Sequence, residues 1–397
     1  MGIKETLSVG KSQLPVRSES MIFKPIYLDF NASTPIAPEV AEAMKPFLVQ
    51  HFGNPSSQHW AGIPAKEAVE HARQQVADLL RCSPSEIVFT SGGSESNNHA
   101  IKGVFFALRE KGNHIITTQI EHPAVVNPCR FLEKLGAEVT FVPVDRYGRV
   151  DPDDIQKAIT PKTILISVMH ANNEVGTIQP IEEISKIAKG KGIVFHTDAA
   201  QSVGKIVTRV DDLGVDLLSI AGHKLYAPKG IGALYVRKGT PIEPLIHGAG
   251  HESGRRAGTE NVLFMVGLGK ACEIAKKYMD DDRILKLRDR FWKLLQDNFG
   301  DALTLNGHPI HRLPNTLNVS FVGKVGAEIL SRLSGVAAST GAACHSGSVE
   351  LSPVLKAIGI APEVGMGAIR FSLGRTTTVQ ELETVIQLLK NAFPSLD

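Results

Sequence analysis

From about residue 38 onward the chain alternates amphipathic helical segments with short, continuously apolar runs, and this alternation restricts the fold more than any other feature. Buried strands separated by helices predict a mostly parallel sheet covered on both faces, an α/β architecture. The helical period is clearest over Pro64–Arg81, where Ala65, Ala68, Val69, Ala72, Val76, Leu79 and Leu80 recur at three- and four-residue steps and form one apolar face. The strand candidates are Ile87–Phe89, His114–Ile120, Val139–Val144, Thr163–Met169, Ile193–Thr197, Asp216–Ile220 and Gly232–Val236, with helical stretches such as Ile181–Lys189 between them. Past residue 280, a charged helical stretch at Asp281–Asn298, strands around Leu317–Phe321 and a last helix at Val379–Ala392 predict a smaller second domain. The expected division is a large domain over 34–282 and a small domain made of 1–33 and 283–397. Neither a repeat of 20–50 residues nor a low-complexity tract is visible, which disfavours a solenoid or propeller.

Charge and cysteine content narrow the function. With 43 Lys+Arg against 41 Asp+Glu and no basic block, no nucleic acid partner is expected. No apolar run approaches the roughly 18 residues of a membrane span, and the first 24 residues lack the apolar centre of a secretory signal. Met1-Gly2 with Thr6 fits the bare myristoylation pattern, but the segment reads better as a tail. The four cysteines, at 82, 129, 272 and 344, are too scattered for a disulfide framework, and no CxxC pair suggests zinc. A cytoplasmic protein without a metal site is expected. Cys82, Cys129 and Cys272, each near a helical segment, read as structural.

Three segments carry chemistry. Asp216-Leu-Leu-Ser-Ile-Ala-Gly-His-Lys224 is an apolar strand whose turn delivers a lysine to the carboxyl edge of the sheet, where ligands bind in open α/β folds. A lysine amine there can form a Schiff base with an aldehyde cofactor, of which pyridoxal phosphate is the common case. The strand Ile193–Thr197 ends in Asp198, whose carboxylate can keep a pyridine nitrogen protonated and so make the ring an electron sink. The strand over Glu86–Thr90, followed by Ser91-Gly92-Gly93-Ser94 and a helix from Glu95, offers free N–H groups and a helix dipole to a phosphate. Taken alone, Ser94 also fits a plain helix cap and Lys224 a solvated lysine.

The motifs Tyr27-Leu-Asp-Phe-Asn-Ala-Ser-Thr-Pro35, Gly53-Asn-Pro-Ser-Ser57, Thr90-Ser-Gly-Gly-Ser-Glu-Ser96, Ala171-Asn-Asn-Glu174, Gly222-His-Lys224 and Arg256-Ala-Gly-Thr-Glu-Asn261 occur in the order found in cysteine desulfurases, and the chain resembles that family. The resemblance, which reaches from residue 27 to 375, implies an aspartate-aminotransferase-like (fold type I) α/β homodimer binding pyridoxal 5'-phosphate on Lys224. It further implies that Gly93, Ser94 and His223 hold the phosphate, with Thr259 reaching the partner subunit's cofactor. Asn173 and Gln201 would sit beside the ring oxygen, Asp198 beside the ring nitrogen, and His122 would stack on the ring and shuttle protons. Without the resemblance, His122 reads as a surface-loop histidine.

Arg370, in Ala368-Ile-Arg370-Phe-Ser-Leu-Gly-Arg375, matches the arginine that grips a substrate α-carboxylate, and Asn31 is expected to assist there. Arg375 reads as structural. Cys344 lies in the small-residue run Ser339-Thr-Gly-Ala-Ala-Cys-His-Ser-Gly-Ser348, which predicts an exposed loop over about 339–352 and a reactive thiol. Zinc at Cys344-His345 would lack its remaining ligands.

The implied reaction converts L-cysteine to L-alanine, leaves sulfur on Cys344 as a persulfide, and passes it to a sulfur-acceptor protein. Two departures, Ala221 in place of a serine two residues before His223 and His345 after the cysteine, resemble selenocysteine lyases, which release selenide from L-selenocysteine. The spacing from Cys344 to Ser352-Pro353 instead resembles the long-loop desulfurases, so that reading comes first. An aminotransferase would not need Cys344, and a binding scaffold would not need Lys224, Asp198, His122 and Cys344 together.

Overall fold

The computed structural model describes residues 24–345 and 348–392, with side chains described throughout except at 342–349. The segment before Lys24, expected as a tail, and the Cys344 side chain lie outside the described residues.

The alternation of helices and apolar runs resolves into a seven-stranded sheet. In spatial order its strands are Ile87–Thr90, Gly232–Val236, Leu217–Ala221, Val194–Asp198, Thr163–Ser167, His114–Thr118 and Glu138–Val142. Only Gly232–Val236 runs against its neighbours. Because side chains alternate across a strand, neighbouring residues feed different cores. Ile87, Phe89, Ile166, Phe195 and Leu218 pack on the side of the helix Ile63–Leu80. Val88, Leu165, Val194 and Leu217 pack with the helix Gly93–Leu108 on the other.

A second sheet has the antiparallel order Ser339–Thr340, Ala368–Ser372, Thr316–Phe321 and Leu303–Asn306. Its own core joins the helices Arg283–Phe299 and Val379–Ala392, and includes Ile26 and Leu28 from the start of the described chain. Arg375 stands 4.2 Å over the Tyr226 ring and 4.4 Å over that of Tyr278, a stacked position in keeping with a structural role.

One expectation is corrected. The run over 339–352, expected as a loop, contains an antiparallel pair, Ala342–His345 with Ser348–Leu351, in which Cys344 lies opposite Val349. Small residues predicted a loop because they bury little surface, but backbone hydrogen bonds form without large side chains.

The register fixes the functional edge. Thr90 and Ala221 both pair with Gly232, and Asp198 pairs with Ser219, so the strands leading to Gly93, Lys224 and Asp198 end side by side. Gly232 permits this, because a Cβ there would lie 2.7 Å from the Gly92 Cα and 2.5 Å from the Ile220 carbonyl oxygen.

Candidate active site

Beyond that edge lies a cavity of about 640 Å³ lined by Asn31, Gly93, Ser94, His122, Asn173, Asp198, Gln201, His223, Lys224 and Arg370, together with Ala221 and Asn97. Every cofactor and substrate candidate read from the sequence is there except Thr259, which is exposed in the loop that follows Arg256.

Lys224 ends the short turn after Leu217–Ala221. Its amine forms no hydrogen bond or ion pair with the described residues. Burial and the Arg370 charge hold its pKa below the ordinary lysine value, while Asp198 partly offsets them. Asp198 closes its strand and accepts from Asn97 Nδ2 at 2.7 Å and from the Ala200 amide at 2.9 Å, so its carboxylate is fixed before any ligand arrives.

Gly93 and Ser94 open the helix Gly93–Leu108, and first-turn amides have no intrahelical acceptor. Glu95 in that turn would repel an anion, but Arg256 Nε lies 2.9 Å from its carboxylate. Burial alone would raise the Glu95 pKa; the bonds from Arg256 and the Ser91 amide bring it below the usual range. The turn therefore keeps its favourable dipole toward an anion.

His122 caps the helix Pro123–Glu133 by accepting the Ala124 amide on Nδ1 at 3.1 Å. Burial, reinforced by Lys224, lowers its pKa, so the neutral ring carries its proton on Nε2. His223 is likewise held neutral, pushed down to about 4 by burial, Lys224 and Lys229.

Arg370 is 8% exposed and already engaged. Nη2 donates to Asp29 Oδ1 at 2.7 Å and to Ser339 Oγ at 2.8 Å, and Nη1 donates to the Asn173 carbonyl at 3.0 Å. Of its five N–H groups, one on Nη1 stays unused, and Nε–H is buried without a partner. The Asn31 amide has nothing to spare: Oδ1 accepts from Lys205 and Asn315, and Nδ2 donates to Thr316 and the Asn173 carbonyl.

Sequence reading missed Asn97, Asp29, Ser339, Arg256 and Lys205. Asn97 had a signal, since it falls four residues after Gly93 and therefore on the same helix face. Asp29 lies inside the Tyr27–Pro35 motif, but nothing local pairs it with a residue 341 positions away. Cys129 and Cys272 are buried and Cys82 half-buried, and burial pushes all three thiols up to about 12, which suits structural roles.

The family described as aminotransferase class-V matches residues 26–385. The cysteine desulfurase IscS of Dictyoglomus turgidum is 54% identical over 375 residues, covering 94% of this chain and 95% of that protein. Among solved structures, a NifS-like protein superposes with a TM-score of 0.88 at 39% identity over 93% of this chain and 99% of its own. A structure described as SspA in complex with cysteine does so at 0.79 and 41% identity, over 88% and 98%.

Proposed function

Because the chain belongs to the aminotransferase class-V family, and within it to the cysteine desulfurases, we infer that it converts L-cysteine to L-alanine and takes up the sulfur on Cys344. The observation that carries this reading is the unpartnered Lys224 amine in one cavity with the fixed Asp198 carboxylate and the incompletely used Arg370 guanidinium.

Pyridoxal 5'-phosphate fits these residues. Lys224 would hold its aldehyde, Asp198 its ring nitrogen, the Gly93 and Ser94 amides with His223 its phosphate, and Asn173 and Gln201 its ring oxygen. Thr259, exposed here, would serve the partner subunit of a homodimer. When bound, the cofactor supplies an electron sink that makes the substrate's Cα–H acidic.

The chain's own residues supply the rest. Arg370, with one Nη1 hydrogen unused, meets the substrate carboxylate by that hydrogen and by its charge, and this orients Cα toward Lys224. Asn31, with its amide fully used, acts by holding its neighbours rather than by touching substrate. Lys224, with its pKa below the ordinary value, takes the α-proton. His122, neutral with its hydrogen on Nε2, would stack on the ring and exchange a proton there. Cys344 attacks the substrate sulfur, the Cβ–S bond breaks, an S–S bond forms, and the methyl group of alanine takes a proton. The balance is cysteine plus a Cys344 thiol giving alanine plus a Cys344 persulfide, with no external oxidant.

The enzyme then passes the sulfur to an acceptor protein. The same reading makes it a cytoplasmic homodimer with a large domain over 34–282 and a small one made of 1–33 and 283–397. No helix among the described residues is long and apolar enough to cross a membrane.

The test is alanine release from L-cysteine and from L-selenocysteine by wild type, Lys224→Ala and Cys344→Ala. Wild type should turn over L-cysteine. Lys224→Ala should lose all turnover, and Cys344→Ala should lose alanine release from cysteine while keeping the cofactor's absorbance. Turnover of selenocysteine alone would overturn the cysteine reading.

A further inference from the structure

Gln201 and Lys205 lie in the turns after the Val194–Asp198 strand, four residues apart. Gly204 allows the chain to fold back there: its φ is 74°, and a Cβ would meet Leu225 Cδ1 at 2.1 Å. Lys205 Nζ consequently reaches two amide oxygens, Gln201 Oε1 at 2.8 Å and Asn31 Oδ1 at 3.0 Å.

We propose that Lys205 is a positioning residue which, by holding the Gln201 oxygen, turns the Gln201 nitrogen toward the cavity as a hydrogen-bond donor to the cofactor. The inference rests on the pyridoxal reading above and deepens it. A glutamine amide has nearly the same shape in either orientation, so its partners alone decide which end faces a ligand. Gln201 Nε2 gives one hydrogen to the Asn31 carbonyl at 3.0 Å, which leaves one for the cavity. A flipped amide would present oxygen to the oxygen of the cofactor ring and would repel it.

Lys205 suits this role because no carboxylate among the described residues pairs with it. Burial, with repulsion from Lys224 and Arg370, holds its pKa well below the ordinary lysine value. The bonds do not depend on its charge, since an ammonium carries three hydrogens and an amine two. The same nitrogen fixes Asn31, whose Nδ2 is thereby aimed at Thr316 Oγ1 (2.8 Å) and the Asn173 carbonyl (3.3 Å). One nitrogen thus orients two amides at one edge of the cavity.

The experiment compares wild type, Lys205→Met, Lys205→Gln, Gln201→Leu and the Lys205→Met/Gln201→Leu double variant. The readouts are pyridoxal phosphate affinity of the apoprotein, the absorption band of the bound cofactor, and the melting temperature of the apoprotein. Lys205→Met should shift the band and weaken affinity about tenfold, the effect of one lost hydrogen bond to a charged group. Gln201→Leu should reproduce that shift, and adding Lys205→Met to it should change little more. Lys205→Gln, which keeps a donor on a shorter stem, should recover part of the band position, and it carries the test if the Met variant fails to fold. A Lys205→Met protein with the wild-type band and affinity overturns the inference, as does a full additional effect in the Gln201→Leu background. If wild type takes up no pyridoxal phosphate, the underlying cofactor reading falls first.

Discussion

Arg370 meets the cavity with an ion pair already in place, its Nη2 2.7 Å from Asp29 Oδ1. Asp29 competes with a substrate carboxylate for the guanidinium's charge, yet it also holds the plane that makes recognition possible. With Ser339 and the Asn173 carbonyl it leaves one Nη1 hydrogen for the ligand. Orientation should outweigh charge, because an unanchored arginine must lose side-chain entropy on binding. Asp29→Asn, which keeps the shape, should leave the KM for L-cysteine within about threefold, whereas Asp29→Ala should raise it about tenfold, near 1.4 kcal/mol. Steady-state kinetics on holoenzyme decide this; equal effects of the two substitutions would show that charge matters and shape does not.

Ala221 lines the cavity so near Gly93 that a Cβ on Gly93 would lie 3.2 Å from its own Cβ. A serine hydroxyl at 221 would add a donor beside the helix amides, a bond worth about 1 kcal/mol net. Ala221→Ser should tighten pyridoxal phosphate binding about fivefold. Fluorescence titration of the apoprotein measures it, and unchanged or weaker binding would mean that position 221 faces no phosphate oxygen.

The sheet edge and most of the cavity were legible in the sequence because each contributing segment is local: an apolar run, then a turn with its own signature. Strand ends were less legible. Val168 and Met169 extend the apolar run of Thr163–Ser167 although they lie past the strand, since the connection there is itself buried. The supporting partners were least legible, because pairs such as Asp29 with Arg370 and Asn31 with Gln201 join positions 341 and 170 residues apart. No periodicity connects such residues; only the closed fold does.

The loop that carries Thr259 is pinned by a buried clamp. Arg73 grips Glu252 at 2.7 and 2.8 Å, and the Phe89 amide donates to the same carboxylate at 2.8 Å. Removing Glu252 leaves the buried Arg73 with only the exposed Glu70, 3.6 Å away, as counter-charge, so Glu252→Ala should cost about 3 kcal/mol in unfolding free energy. Ser253 next to it is exposed with φ at 57°, a conformation that costs a non-glycine residue about 1–2 kcal/mol. Set against the extra chain entropy of glycine, Ser253→Gly should gain a few tenths to about 1 kcal/mol. Calorimetric melting of both variants checks the pair, and a destabilised glycine variant would count against the strain.

Glu121, adjacent to His122, makes stability depend on pH in a direction opposite to most carboxylates. Burial pushes its pKa up to about 8 despite bonds from the Met169 amide and Thr118, and the nearby Asp198 adds to the rise. Between its ordinary value of 4.5 and about 8, the folded protein holds a proton that the unfolded chain has released. The stability it contributes is thus complete below 4.5 and is lost as pH rises through 8, at up to about 1.4 kcal/mol per pH unit. Buried His170 and His196, pushed down to about 4 by burial, act in the other sense, since unfolding lets them bind protons as pH falls from 6.5 toward 4. Their effect cancels when Glu121→Gln is compared with wild type at each pH. Urea unfolding at pH 5, 6, 7 and 8 should show the glutamine variant gaining on wild type at every step. A difference independent of pH would mean that Glu121 is ionised throughout and that its buried, unbonded oxygen has a partner in solution.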